Sequence, residues 1–100
     1  MLLNVNDSLK IVEVTHVTES ATIESNKFST FLIPTPGNEY TLINAKLNDC
    51  SRSEALYQFT ASIVQNRHLR ILNNYENALT CTFTIKAYYL KTNAMSQQTM

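Results

Sequence analysis

At 100 residues the chain has room for one hydrophobic core and not for two. Apolar residues make up 44% of it and charged residues only 16%, with eight basic and eight acidic side chains cancelling. That balance excludes a disordered, highly charged chain and a nucleic-acid surface built on net positive charge. Polarity comes instead from Asn, Ser and Thr, which crowd residues 4–8, 48–53 and 73–77, where such side chains satisfy the backbone groups of tight turns.

The start, Met1-Leu2-Leu3-Asn4-Val5, shows no basic leader and no signal-length apolar run. No segment approaches the roughly eighteen consecutive apolar residues of a membrane helix. The expectation is a soluble chain without its own export signal and without membrane insertion. Residues 9–18 read as a strand, with Leu9, Ile11 and Val17 on one face and Val12 and Val14 on the other. Apolar residues on both faces predict a central strand, or one whose second face meets another subunit. Residues 21–24 form a short strand, and residues 27–33 a longer one that stops at Pro34-Thr35-Pro36-Gly37, where two prolines deny donors to any ladder.

Residues 40–47 resume the strand pattern with Ile43, Ala45 and Leu47 on one face, and residues 51–56 hold one helical turn at most. Tyr57, Phe59, Ala61 and Ile63 then alternate with polar neighbours, Gln65-Asn66 suggests a hairpin turn, and Leu69 and Ile71 point inward on the returning strand. After the Asn-rich residues 73–77, the clearest segment runs from Leu79 to Tyr89. Leu79, Cys81, Phe83, Ile85, Ala87 and Tyr89 alternate there with Thr80, Thr82, Thr84, Lys86 and Tyr88, the period of a half-buried strand. Three consecutive antiparallel strands are expected in this half. The whole predicts an all-β fold: one small antiparallel β-sandwich of about seven strands, jelly-roll or immunoglobulin-like, over residues 1–91, with a polar tail at 92–100 that frays. Its core is expected to hold Phe59, Ile63, Leu69, Ile71, Leu79, Phe83 and Ile85.

Motifs for chemistry are missing. A single glycine, Gly37, rules out Gly-rich phosphate loops and the nucleophile elbow. His16 and His68 lie on separate strands without metal-ligand spacing, and the carboxylates are scattered. Cys50 and Cys81 are expected to stay thiols in a reducing cytosol, Cys81 as a small buried apolar residue. Arg67 and Arg70 fall on opposite faces of a strand and so make no basic patch. No catalytic residue, metal or cofactor is expected, and no nucleic acid.

The order of features from about Ala21 to Lys91 carries a resemblance. A strand ends in Phe31-Leu32-Ile33-Pro34, a turn leads into Tyr40-Thr41-Leu42-Ile43, a hairpin and an Asn-rich turn follow, and Thr82-Phe83-Thr84-Ile85-Lys86-Ala87-Tyr88-Tyr89-Leu90-Lys91 closes the domain. The chain thereby resembles the small C-terminal β-sandwich modules of tailed-bacteriophage tail-fibre and baseplate receptor-binding proteins, although it lacks their glycine-bearing turns. The resemblance implies a non-enzymatic virion component, commonly a homotrimer, that contacts host-surface glycan or other virion proteins. A capsid-decoration or other assembly protein is the alternative.

For a glycan site, loop residues with planar or hydrogen-bonding groups are expected, and Arg52, Asn73, Asn74 and Tyr75 are the candidates. Self-association is expected from apolar residues on faces that one sandwich cannot cover: Val12 and Val14, Phe28 and Leu32 opposite Phe31 and Ile33, and Tyr88 opposite Tyr89.

Overall fold

The computed structural model describes residues 10–65 and 67–91; Leu9, Asn66 and the tail at 92–100 lie outside them. The chain is all-β, with strands β1 (Ile11–Val17), β2 (Ala21–Ile23), β3 (Phe28–Leu32), β4 (Tyr40–Cys50), β5 (Phe59–Val64), β6 (His68–Asn73), β7 (Leu79–Cys81) and β8 (Phe83–Lys91), and a 3₁₀ helix over Ser53–Gln58. All pairings are antiparallel and give a sheet of order β1-β8-β4, a sheet of order β3-β6-β5 and a two-stranded β2-β7 ribbon. First pairs with last, second with seventh and third with sixth, so the chain is wound in nested fashion.

The alternating face at the C-terminal end is the spine of this arrangement. Leu79, Cys81, Phe83, Ile85, Ala87 and Tyr89 are all buried. The ladder breaks at Thr82, where the chain leaves β2 and joins β1 and β4. Side chains fill the gap: the Thr82 amide donates to Ser51 Oγ at 3.0 Å and the Phe83 amide to Thr18 Oγ1 at 3.0 Å. The expected third strand of a local meander therefore leaves β6 and crosses to the opposite sheet. Phe83 reaches back across the core, its ring 5.5 Å from that of Phe31 and 5.0 Å from that of Phe59, the latter edge-on. At the far end, the Tyr89 hydroxyl donates to the Pro34 carbonyl, which gives a deeply buried polar atom the partner it requires.

Strict alternation fails in β4. Against β8 the register shifts between Leu42 and Asn44 and again between Leu47 and Asp49. Each bulge puts two residues of β4 opposite one of β8. Leu42, Ala45, Leu47 and Cys50 consequently pair with the buried Tyr89, Ala87, Ile85 and Phe83. Ile43, expected on the same face as Ala45 and Leu47, is expelled at the first bulge and is 45% exposed.

Other expectations change for positional reasons. Ile63 shares a face with Leu69 but is 44% exposed, because β5 is the edge of its sheet and Ile63 sits near the hairpin end, where cover comes from one side only. Tyr57 belongs to the 3₁₀ helix and not to a strand. β1 is an edge strand, not a central one, and Val12 and Val14 stand opposite Tyr89 and Ala87 on its inner side. Its outward apolar residues are Ile11 and Val17, which corrects the side expected to face a neighbour. Phe28 and Leu32 do look outward from β3, while Ile33 is fully buried and Phe31 packs against the core. Tyr88 is half-buried on the outer face of its sheet.

Replacing Phe83 by Ala removes the side chain on which both sheets converge. We expect a loss of about 3–5 kcal/mol in unfolding free energy, measured by chemical denaturation followed by circular dichroism. A loss below about 1 kcal/mol would show that the ring is not the hub.

Candidate ligand-binding site

Two loops meet at one end of the sandwich, and a single buried side chain holds one of them. Asn73, fully buried at the end of β6, donates from Nδ2 to the carbonyls of Ile23 and Asn77, each at 2.9 Å, and its Oδ1 accepts the Tyr75 amide at 2.8 Å. Its backbone amide donates to the Lys27 carbonyl at 2.9 Å, and its own carbonyl accepts from the Asn26 amide at 2.8 Å. Asn26 itself has the left-handed φ of 60° that asparagine tolerates. Ser25 Oγ adds a bond to the Tyr75 carbonyl at 2.6 Å. Residues 74–77 are thus tied to residues 23–27 through polar groups that the interior fully satisfies.

The opposing loop is the 3₁₀ helix and the residues before it. Ala55 is buried, and its amide donates to the Arg52 carbonyl at 2.8 Å. With three residues per turn, Glu54 and Tyr57 lie one above the other on the same side of this helix. Arg52 Nε donates to Glu54 Oε2 at 3.4 Å. Both side chains are more than half exposed, so the pair adds little to stability. Four further guanidinium N–H donors are left for a ligand. A bond from the Asn74 amide to the Gln58 carbonyl at 2.9 Å joins the two loops.

Between them lies a cavity of about 140 Å³, lined by Arg52, Glu54, Ala55, Tyr57, Gln58, Tyr75 and Leu79. Tyr57 is 80% exposed, the most open of the large hydrophobic side chains among the described residues. Tyr75 is half-buried and packs against the core, forming the inner wall. Of the four residues expected at a binding surface, Arg52 and Tyr75 come together here. Asn74 does not enter the cavity: its Nδ2 donates to Thr60 Oγ1 at 2.7 Å. Asn73 is a buried structural group and cannot touch a ligand without unfolding, which corrects its place in the expected site. Glu54, Tyr57 and Gln58 were not anticipated. The short polar run Arg52-Ser53-Glu54 ahead of Tyr57 was their signal, hidden because Tyr57 fits the period of the strand that follows.

The cavity offers two phenolic rings, a guanidinium and a carboxylate, groups capable of stacking on and hydrogen-bonding to a polyhydroxylated or planar molecule. Among the described residues no group of His, Cys, Asp and Glu is placed to hold a metal ion. His16 and His68 stand on β1 and β6. Cys50 and Cys81 are free, buried and adjacent. Burial pushes the Cys50 thiol up from its ordinary value; a backbone hydrogen bond at Arg52 works against this, and the neighbouring Cys81 and Asp49 reinforce it. Comparison with family models, with curated proteins and with solved structures finds no match for the chain.

Asn73→Ala should cost about 2–4 kcal/mol, because buried carbonyls and an amide lose their partner, whereas Asn74→Ala should cost under about 1 kcal/mol. Urea titrations of the two variants test this, and equal losses would refute the distinction. A thiol raised in the fold is stabilising while protonated. Stability should therefore be fully present below the unfolded thiol range near about 8.5 and fall as pH rises through it toward the higher folded value. Cys50→Ala should flatten that fall in thermal unfolding curves recorded across the alkaline range, and an unaltered slope would refute the assignment.

Proposed function

We propose that the chain is a non-enzymatic binding module, a head domain of a phage tail fibre or baseplate that contacts host-surface glycan. The observation that supports this best is the meeting of Tyr57, Tyr75 and the Arg52–Glu54 pair around one small cavity at an end of the sandwich. Tyrosine rings offer apolar faces to the C–H side of a sugar, and the charged pair offers both donors and acceptors to its hydroxyls. At about 140 Å³ the cavity is well below the roughly 300 Å³ where drug-sized ligand sites begin. It suits one sugar unit of a chain, and one such site is weak.

Weak sites become effective by repetition, which links the reading to self-association. In a homotrimer three cavities share one surface, and binding the first raises the effective concentration for the others. Ile11 and Val17 on β1, each 57% exposed, are apolar surface available for contacts between copies or with other virion proteins. The trimeric count comes from the resemblance to fibre modules.

Size-exclusion chromatography with light scattering and binding to immobilised host-wall polysaccharide test the proposal together. The expected results are a mass of three times 11.4 kDa and polysaccharide binding that falls at least tenfold in Tyr57→Ala and Arg52→Ala. Both residues are exposed, so these variants should keep the wild-type circular dichroism spectrum. Binding to purified virion protein without any to polysaccharide would favour the assembly role, and unchanged binding in both variants would remove this cavity from the site.

A further inference from the structure

The outer face of the β3-β6-β5 sheet holds a second constellation, separate from the loop cavity. In register across it, Thr30 stands opposite Arg70 and Arg70 opposite Ser62, while in the next row Leu32 stands opposite His68 and His68 opposite Val64. Phe28, Leu72 and Thr60 make the third row, so no Asp or Glu stands on this face. In these three rows of described residues the ionisable side chains are Arg70 and His68.

Arg70 is exposed, and no carboxylate pairs with it among the described residues. Its guanidinium carbon lies 4.3 Å from the centroid of the Phe28 ring. Stacking covers one face of the planar group and limits its orientations, while the N–H donors on its edge stay free for a planar oxyanion. His68 is fixed by another contact: its Nδ1 lies 3.3 Å from the Gln65 carbonyl. A carbonyl only accepts, so the proton sits on Nδ1 and Nε2 of the neutral ring presents a lone pair. Thr30, Val64, Gln65, His68 and Arg70 line a shallow groove of about 310 Å³. Arg70 and His68 are two residues apart on one strand face, about 7 Å along the strand, comparable to the width of a sugar ring.

We propose that this groove is a second binding site, for an acidic saccharide or polyol phosphate, with the oxyanion on the Arg70 fork and a neighbouring hydroxyl donating to His68 Nε2. An anion alone would use half of the site, and a neutral sugar the other half. Carboxylate and phosphate ester share this chemistry, and separate titrations distinguish them. The site uses none of the loop-cavity residues, so it stands or falls independently of the function proposed for that cavity.

Amide chemical shifts of the full chain, recorded during titration with glucuronate, glycerol phosphate, glucose and acetate, test the inference. Glucuronate, glycerol phosphate or both should shift the amides of Thr30, Gln65, His68 and Arg70 and leave Tyr57 and Tyr75 in place, with glucose and acetate at least fivefold weaker. Arg70→Gln should weaken the acidic ligand at least tenfold, and Arg70→Lys, which keeps the charge without the stacked fork, by a smaller factor. Phe28→Ala should weaken it as well. These positions are exposed, so the variants should retain the wild-type spectrum elsewhere. Shifts confined to the loop cavity, acetate binding as tightly as glucuronate, or an Arg70→Gln variant with undiminished affinity would each overturn the proposal.

Discussion

The structure depends on one strip of chain keeping a dry face while it changes partners. From Leu79 to Tyr89 every second side chain is buried, yet the hydrogen-bonding neighbours switch at Thr82 from β2 to β1 and β4. A continuous apolar face with a discontinuous ladder is possible only if the backbone groups at the break find other partners. Ser51 and Thr18 supply them. Without the Thr18 hydroxyl the corner would leave the buried Phe83 amide unpaired, a cost of about 1–3 kcal/mol. With both hydroxyls in place, Phe83 can sit just beyond the corner and contact aromatic rings of the opposite sheet.

The same division of labour recurs at the loops. Asn73 spends its side-chain bonds inside the protein, and Tyr75, two residues on, is thereby presented at the cavity with its backbone already satisfied. On the other side, the buried Ala55 anchors a helix whose outward residues contribute nothing evident to packing. Tyr57 at 80% exposure and an ion pair open to water are features that folding does not need. Rigid support beneath side chains free of structural duty is the arrangement a recognition surface requires.

Legibility in the sequence followed the regularity of the backbone. The final strand, the Pro34–Gly37 stop and the hairpin between β5 and β6 were readable because alternation, proline and turn residues act locally. The interior position of Leu69, Ile71, Phe83 and Ile85 followed from the same pattern. Ile43 misled because a bulge changes the side on which every later residue falls, and no single residue type announces one. Ile63 misled because period reports the face of a strand and not its place in the sheet. Asn73 looked like a turn residue, which it is, but its burial depends on a carbonyl fifty residues away in sequence. Arg52 and Tyr75 were found as exposed loop groups, whereas their convergence with Tyr57 required the topology.

The paired bulges of β4 bear on how this chain tolerates change in length. Between them, Ala45 and Leu47 face the core because one extra residue has already been inserted, and Cys50 does so because of the second. The strand behaves like a reading frame with two compensating shifts. An exchange of side chain at Ile43 or Asn48 touches only the surface, and excision of either would close its bulge with Ala45, Leu47 and Cys50 still opposite Ala87, Ile85 and Phe83, whereas excision of a paired residue such as Lys46 would turn the following stretch over. Variation by substitution is therefore open along this edge, while variation in length is confined to the two bulges and to the loops, including those that frame the cavity.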